Sequence, residues 1–301
     1  MYSNIAFEGG GIKGISYVGV LKAFNDLSCF RGEVSKTSVE ITSSKDEVSF
    51  NGTKSITKFV GTSVGSIFAL LMSCSCSNDE IDKYSRKLFH ELTTVDHNIF
   101  TEGINLYKYL GMHDNINIYN AINEFLVDKY KKDKITFSDL YSITSNELTV
   151  VGTCLSLRKA QYFNHINDSD MEVAKAIQIS TAVPIFYKSI EYNGLQYADG
   201  GIVDNFPVNY FDTESINKQT IGICFKDNDV LSHFSGMISM LEMIEDTQLK
   251  NNTDSNIKDE KIRNLIIIDT GNISFLDYNI SQEQINKLEN EGYHAIKMRY
   301  N

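Results

Sequence analysis

The chain has 301 residues, 42% of them hydrophobic, with 28 Lys and Arg against 39 Asp and Glu for a formal net charge of -11. That acidic excess argues against a nucleic-acid binder, whose phosphate contacts draw on concentrated Lys and Arg, and it leaves any adhesion to anionic membrane to apolar side chains. A core of substantial size is available, and no Pro/Gly/Ser-rich linker or internal repeat divides the chain, so a single domain over 1–301 is expected.

Residues 4–8 read as a short strand, and the run Gly9-Gly10-Gly11-Ile12-Lys13-Gly14 opens a helix behind it. A strand starting so early leaves no room for a signal peptide. Three consecutive glycines let the backbone turn its N–H groups inward around an anion, which in acyl transfer is the tetrahedral oxyanion. Gly10 and Gly11 are the candidate donors. The same six residues satisfy G-x-G-x-x-G, a dinucleotide-binding fingerprint. Glu33 lies near the distance at which that fingerprint expects a ribose-binding acid, although residues 29–36 do not read as the end of a second strand. Within 29–57, residues 38–42 and 47–50 alternate apolar and polar around a polar turn, which predicts an inserted hairpin.

Residues 55–60 end a strand, and 66–72 are apolar on every side, as expected for a helix buried between layers. Between them stands Gly61-Thr62-Ser63-Val64-Gly65, the G-x-S-x-G nucleophile elbow, in which small flanking residues permit a sharp strand-to-helix turn. A serine hydroxyl is a weak nucleophile at neutral pH and needs a base beside it. Residues 100–112 are dense in apolar and aromatic side chains between glycines, which suits either a cap over an acyl-chain groove or a core helix.

Residues 188–197 form a predicted hairpin on Asn193-Gly194. It leads into Asp199-Gly200-Gly201, a tight turn able to aim a carboxylate at a neighbour, though an isolated Asp-Gly-Gly is more often an ordinary Asx turn. Further on, Phe234, Met237, Ile238, Met240, Leu241, Met243 and Ile244 are spaced for a helix with an apolar face. A Ser-His-Asp triad would need a histidine after its acid, which makes His233 and His294 its candidates.

No apolar run approaches the ~20 residues of a membrane-spanning helix. Five cysteines form no paired framework, and Cys74 and Cys76 read as buried thiols. A reducing, cytoplasmic setting is therefore expected.

Taken jointly, the three glycine signatures resemble those of the patatin-like phospholipase family. Residues 179–186 are similar to the family's block ahead of its catalytic aspartate, and 199–207 to the block containing it. Residues 136–141 and 148–153 are similar to its central strand and the approach to that strand. The resemblance covers roughly 4–225. Residues 226–301, expected to supply a further strand and helices, carry no family signature, and the 29–57 connection is longer than usual. Lys13 stands where many members have arginine, and Val64 where alanine is common.

The resemblance implies a three-layer α/β/α fold around a mainly parallel sheet. It implies a lipid acyl hydrolase that cleaves phospholipids or other glycerolipids with a Ser-Asp dyad, without metal or cofactor. Ser63 would be the nucleophile, Asp199 the base, and Gly10 and Gly11 the oxyanion donors. Gly9, Lys13, Gly14, Gly61, Gly65, Gly200 and Gly201 would shape the motifs. The substrate would be met at a membrane or lipid aggregate, by peripheral contact, and some family members wait for a protein activator. Three other readings stay open: a Ser-His-Asp esterase, a catalytically idle lipid-binding or interaction protein, and a nucleotide binder.

Overall fold

The computed structural model describes residues 3–27, 56–93, 111–211, 219–226, 237–257, 264–275, 277 and 280–300. The expected hairpin within 29–57 and most of the 100–112 segment lie outside these residues. The strands are β1 (Asn4–Phe7), β2 (Lys58–Thr62), β3 (Gly111–His113), β4 (Glu147–Cys154), β5 (Lys159–Phe163), β6 (Ile185–Tyr187), β7 (Ile190–Tyr192), β8 (Leu195–Asp199), β9 (Thr220–Phe225) and β10 (Leu265–Ile268). The helices are α1 (Ser16–Asp26), α2 (Val64–Ser73), α3 (Asn78–Thr93), α4 (Ile116–Tyr130), α5 (Phe137–Thr144), α6 (Val173–Ser180), α7 (Gly201–Asp204), α8 (Met237–Ile257) and α9 (Gln282–Tyr300).

Among the described residues, one sheet runs in the order β10-β9-β1-β2-β4-β8-β7, with β5 also paired to β4. β10, β9, β1, β2 and β4 are parallel, and β5, β7 and β8 join antiparallel. Side chains alternate between faces, as a pleated strand requires. Ile5, Phe7, Phe59, Val150, Ile221 and Ile223 enter the larger core, under α1, α2 and α6. The intervening Ala6, Val60, Val151 and Cys224 meet Phe206 and Val208 on the other face. A parallel strand buried on both faces reads as a continuous apolar run, which is why β1 and β2 carry so few polar residues. The sheet between two covering layers is the expected α/β arrangement.

Strand register places the turn residues of the second and third glycine signatures together. β4 pairs with β2 up to Thr62 opposite Val151, and with β8 from Asp199 opposite Gly152. β5 pairs with residues 150–154 of β4 and so takes the opposite edge over that stretch. Since a strand has two edges, β2 and β8 share one of them and run into each other end-on at Val151 and Gly152. Ser63 follows the last residue of β2, and Asp199 is the last residue of β8.

The segment without family signature is built into the same frame. β10 extends the sheet beyond β9, and α9 lies along α1 with almost no gap. A Cβ on Gly19 would sit 1.8 Å from the Glu289 carbonyl oxygen, and one on Gly292 would sit 1.8 Å from that of Ser16. Both obstacles are backbone and cannot rotate aside. Gly292→Ala is therefore expected to cost about 1–3 kcal/mol, the usual penalty for overpacking. Urea unfolding checks this, and an unchanged midpoint would mean that the helices can part freely.

Candidate active site

Ser63 caps the N-terminus of α2 with φ 52° and ψ -130°, a conformation that costs a non-glycine residue of order 1–3 kcal/mol. Three contacts hold it. Its N–H donates to Ser180 Oγ at 2.8 Å, and its carbonyl accepts from the Ser66 N–H at 2.9 Å and the Ser66 hydroxyl at 2.6 Å. The flanking glycines answer to backbone crowding: a Cβ at Gly61 would lie 2.3 Å from Gly65 O, and one at Gly65 would lie 2.6 Å from Glu8 O. The elbow is thereby pressed against the end of β1.

Asp199 is 4% exposed. Its N–H donates to Ala182 O at 2.9 Å, and its Oδ1 accepts from the Gly201 N–H at 2.7 Å. Its Oδ2 is buried without a hydrogen-bond partner among the described residues. Burial pushes the carboxyl from the ordinary 3.8 up to about 7, against the opposing influence of the nearby Ser63 side chain and the Gly201 amide. Gly200 has no room for a side chain, since a Cβ would meet Val151 O at 2.4 Å and Thr62 Cγ2 at 3.1 Å. The bare turn is what allows β8 to end against β2.

The first glycine run reaches the same place from β1. Gly9 donates to Asn205 O at 2.9 Å, Ile12 to Phe275 O at 3.0 Å and Lys13 to Gly10 O at 3.1 Å, closing a 3-10 turn over Gly11–Ile15. The Gly10 and Gly11 amides donate to no group among the described residues. Gly11 has φ +52°, and a Cβ there would strike Phe275 O at 2.1 Å. A Cβ at Gly9 would be 3.1 Å from Ser63 Cβ, so the loop lies one side chain away from the serine. Val64 packs on Gly14, where a Cβ would meet Val64 Cγ2 at 2.4 Å.

Several residues behind the site carry no motif signal. Glu8 is 6% exposed. Its Oε2 accepts from the Phe225 N–H at 2.7 Å, and its Oε1 accepts from Thr253 Oγ1 at 2.5 Å and Asn205 Nδ2 at 3.3 Å. Asn205 also donates to Gly9 O at 3.2 Å. One buried carboxylate thus ties the glycine loop, β9, the turn after Asp199 and α8 together. Of the apolar face expected on α8, Phe234, Met237, Ile238, Met240 and Leu241 have side chains outside those described. Ile244 is 51% exposed, while Gln248 donates to Ile202 O, Asn252 to Gly201 O and Ile202 O, and Asn256 to Asp204 Oδ1 and Phe206 O.

Of the triad candidates, His294 lies exposed on α9, and His233 is outside the described residues. Cys74 and Cys76 are buried free thiols, as the sequence suggests. Among the described residues, no group of three or more His, Cys, Asp or Glu is placed to hold a metal ion, and no helix is long and apolar enough to cross a membrane. Ser180 is the residue whose removal isolates the support of the elbow: Ser180→Ala would strand the buried Ser63 N–H, at a cost of about 1–3 kcal/mol. Denaturant unfolding of the variant measures that loss.

Comparison with known proteins finds relatives by sequence and by fold. An uncharacterized protein of Acanthamoeba polyphaga mimivirus, R571, is 27% identical over 226 residues, covering 75% of this chain and 66% of the relative. A probable lipid hydrolase of Invertebrate iridescent virus 6, 463L, is 30% identical over 161 residues, covering 51% of this chain and 52% of the relative. Among solved structures, VipD from Legionella pneumophila superposes with a TM-score of 0.58 at 17% identity, over 99% of this chain and 66% of VipD. The type III effector ExoU superposes with a TM-score of 0.50 at 12% identity, over 99% of this chain and 53% of ExoU. The chain thus spans between half and just under two thirds of each of these proteins. The sequence model of the patatin-like phospholipases matches residues 5–212, a span that holds all three glycine signatures, and the chain belongs to that family.

Proposed function

We propose that the chain hydrolyses fatty-acyl esters of phospholipids or other glycerolipids through a Ser63–Asp199 dyad. The observation that carries this reading is the meeting of the two residues at the end-on junction of β2 and β8, with Asp199 Oδ2 buried and without a hydrogen-bond partner among the described residues. Membership of a lipid-cleaving family supports the substrate class.

In this scheme ionised Asp199 accepts the Ser63 hydroxyl proton as Oγ bonds to the ester carbonyl carbon. The negative charge that develops on the carbonyl oxygen is met by the free Gly10 and Gly11 amides and by the positive end of α2. Asp199 returns the proton to the departing alcohol oxygen, leaving an acyl-serine. Water then gives a proton to Asp199 and its hydroxyl to the acyl carbon, and the fatty acid leaves as the proton returns to Ser63. The scheme uses neither metal nor cofactor. Exposed apolar side chains on two bordering elements, Val203 on α7 and Ile244 on α8, give the site a means of meeting a lipid surface.

A fluorophosphonate probe tests the nucleophile. Mass spectrometry is expected to find the label on Ser63, absent in Ser63→Ala and strongly reduced in Asp199→Asn, while alanine at His233 and His294 leaves labelling intact. A folded protein that stays unlabelled sinks the proposal, and loss with either histidine would favour a triad.

The raised pKa adds a pH signature. Because the base must be ionised, kcat/KM should climb through about pH 7 and flatten above it. Stability should move oppositely: the folded state holds this proton more tightly than the unfolded chain, so stability falls between about pH 4 and pH 7 and levels off beyond. Comparing pH-dependent unfolding of wild type and Asp199→Asn checks this, since the variant should lack that part of the slope.

A further inference from the structure

A cavity of about 330 Å³ opens beside the glycine loop, between α8 and residues 271–275. Its size is within the range of small-molecule sites, about 300–1,000 Å³. Neither Ser63 nor Asp199 lines it, yet Gly9, Gly10 and Asn205 form its inner wall, and Gly9 is the residue that abuts Ser63. An ester carbonyl seated on the Gly10 and Gly11 amides would therefore stand at the border of two spaces. On that placement one substituent of the reacting carbon would lie on the Ser63 side, and the other would extend toward this cavity.

The lining decides which substituent that is. Three lysines (Lys13, Lys226 and Lys250) and three acids (Glu8, Asp246 and Asp254) border the cavity beside apolar Leu249, Ile267 and Ile273. Glu8 belongs to the buried cluster and Lys226 pairs with Asp269 at 2.6 Å, so a head group would be met chiefly by Lys13, Lys250, Asp246 and Asp254. An acyl chain placed there would strip water from charged groups and return no hydrogen bond, which is strongly unfavourable. The alcohol side of a phospholipid, with its charged head group, would keep those groups solvated. A purely anionic head group would meet as many carboxylates as ammoniums. Asp246, Lys250 and Asp254 recur every four residues and so share one face of α8. Phe225 and Phe275 line the cavity from outside α8, and a position between aromatic residues and carboxylates is a favourable setting for an organic ammonium.

On the reading of the site as a lipid acyl hydrolase, we propose that this cavity is a head-group subsite selective for a zwitterionic phosphoamine, with Asp246 and Asp254 receiving the ammonium and the lysines the phosphate. The leaving alcohol departs through it, and the acyl chain lies on the Ser63 side.

The test separates binding from hydrolysis. Full-length Ser63→Ala protein is titrated calorimetrically with glycerophosphocholine and with glycerophosphoglycerol. In parallel, active protein is assayed on dioleoyl phosphatidylcholine and phosphatidylglycerol in mixed micelles. Preference for the choline compound by about tenfold is expected in both assays, and Asp254→Lys should abolish or reverse it. Should that variant fail to fold, Asp254→Asn and Asp246→Asn should each reduce the ratio by severalfold. A ratio that none of these substitutions moves, or an intrinsic preference for the anionic compound, overturns the subsite even if Ser63 takes the fluorophosphonate. Selective, Asp254-dependent binding by a protein that neither takes the probe nor cleaves lipid would sustain the subsite and sink the hydrolase reading.

Discussion

The site depends on one edge of β4 serving two strands. β2 arrives parallel and stops at Val151, and β8 arrives antiparallel and stops at Gly152. Neither can advance a residue without colliding with the other. Each chain must therefore leave the sheet at that point, and each leaves on a turn that carries a candidate catalytic side chain. The turns are tight because they face each other, and Gly200 lies between Val151 O and Thr62 Cγ2 with no space for a Cβ. Proximity of serine and carboxylate follows from the hydrogen-bond ladder of the sheet, which is among the stiffest parts of a fold.

Behind the junction, the glycine loop is held by a buried polar cluster. Glu8 accepts from the backbone of β9, from a hydroxyl on α8 and from the amide of Asn205, which itself holds Gly9 O. In low dielectric such a network is strong when complete and expensive when one member is missing. It fixes the loop while leaving the Gly10 and Gly11 amides uncommitted. A loop that spent those amides on its own backbone would be equally rigid and unable to receive an anion.

What could be read from the sequence was what is enforced locally. The elbow, the Asp-Gly-Gly turn and the glycine run each consist of neighbours in the chain, and their glycines mark places where backbone meets backbone. The mainly parallel sheet followed from the family resemblance that those motifs carry, and the β7–β8 hairpin from Asn193-Gly194. Ser180, Glu8 and Thr253 were silent because each acts through a partner far along the chain, 117 residues for Ser180 with Ser63 and 245 for Thr253 with Glu8. Nothing in a lone serine or threonine announces such a partner. α8 was silent too, because its described contacts with the site run through Gln248, Asn252 and Asn256, residues that in a single sequence look like solvent-facing filler.

The order of assembly follows from where β1 sits. It lies between β2 and β9, and the helix that follows its glycine loop is covered by α9. A chain emerging from the ribosome thus presents the elbow serine long before the acid, the strand that completes the edge of β1, or the threonine that satisfies Glu8. From residue 63 to residue 199 the serine stands without Asp199, and the glycine loop waits for Thr253. Such long-range closure slows folding, and it means that the candidate site is assembled only after β9 and α8 have been made.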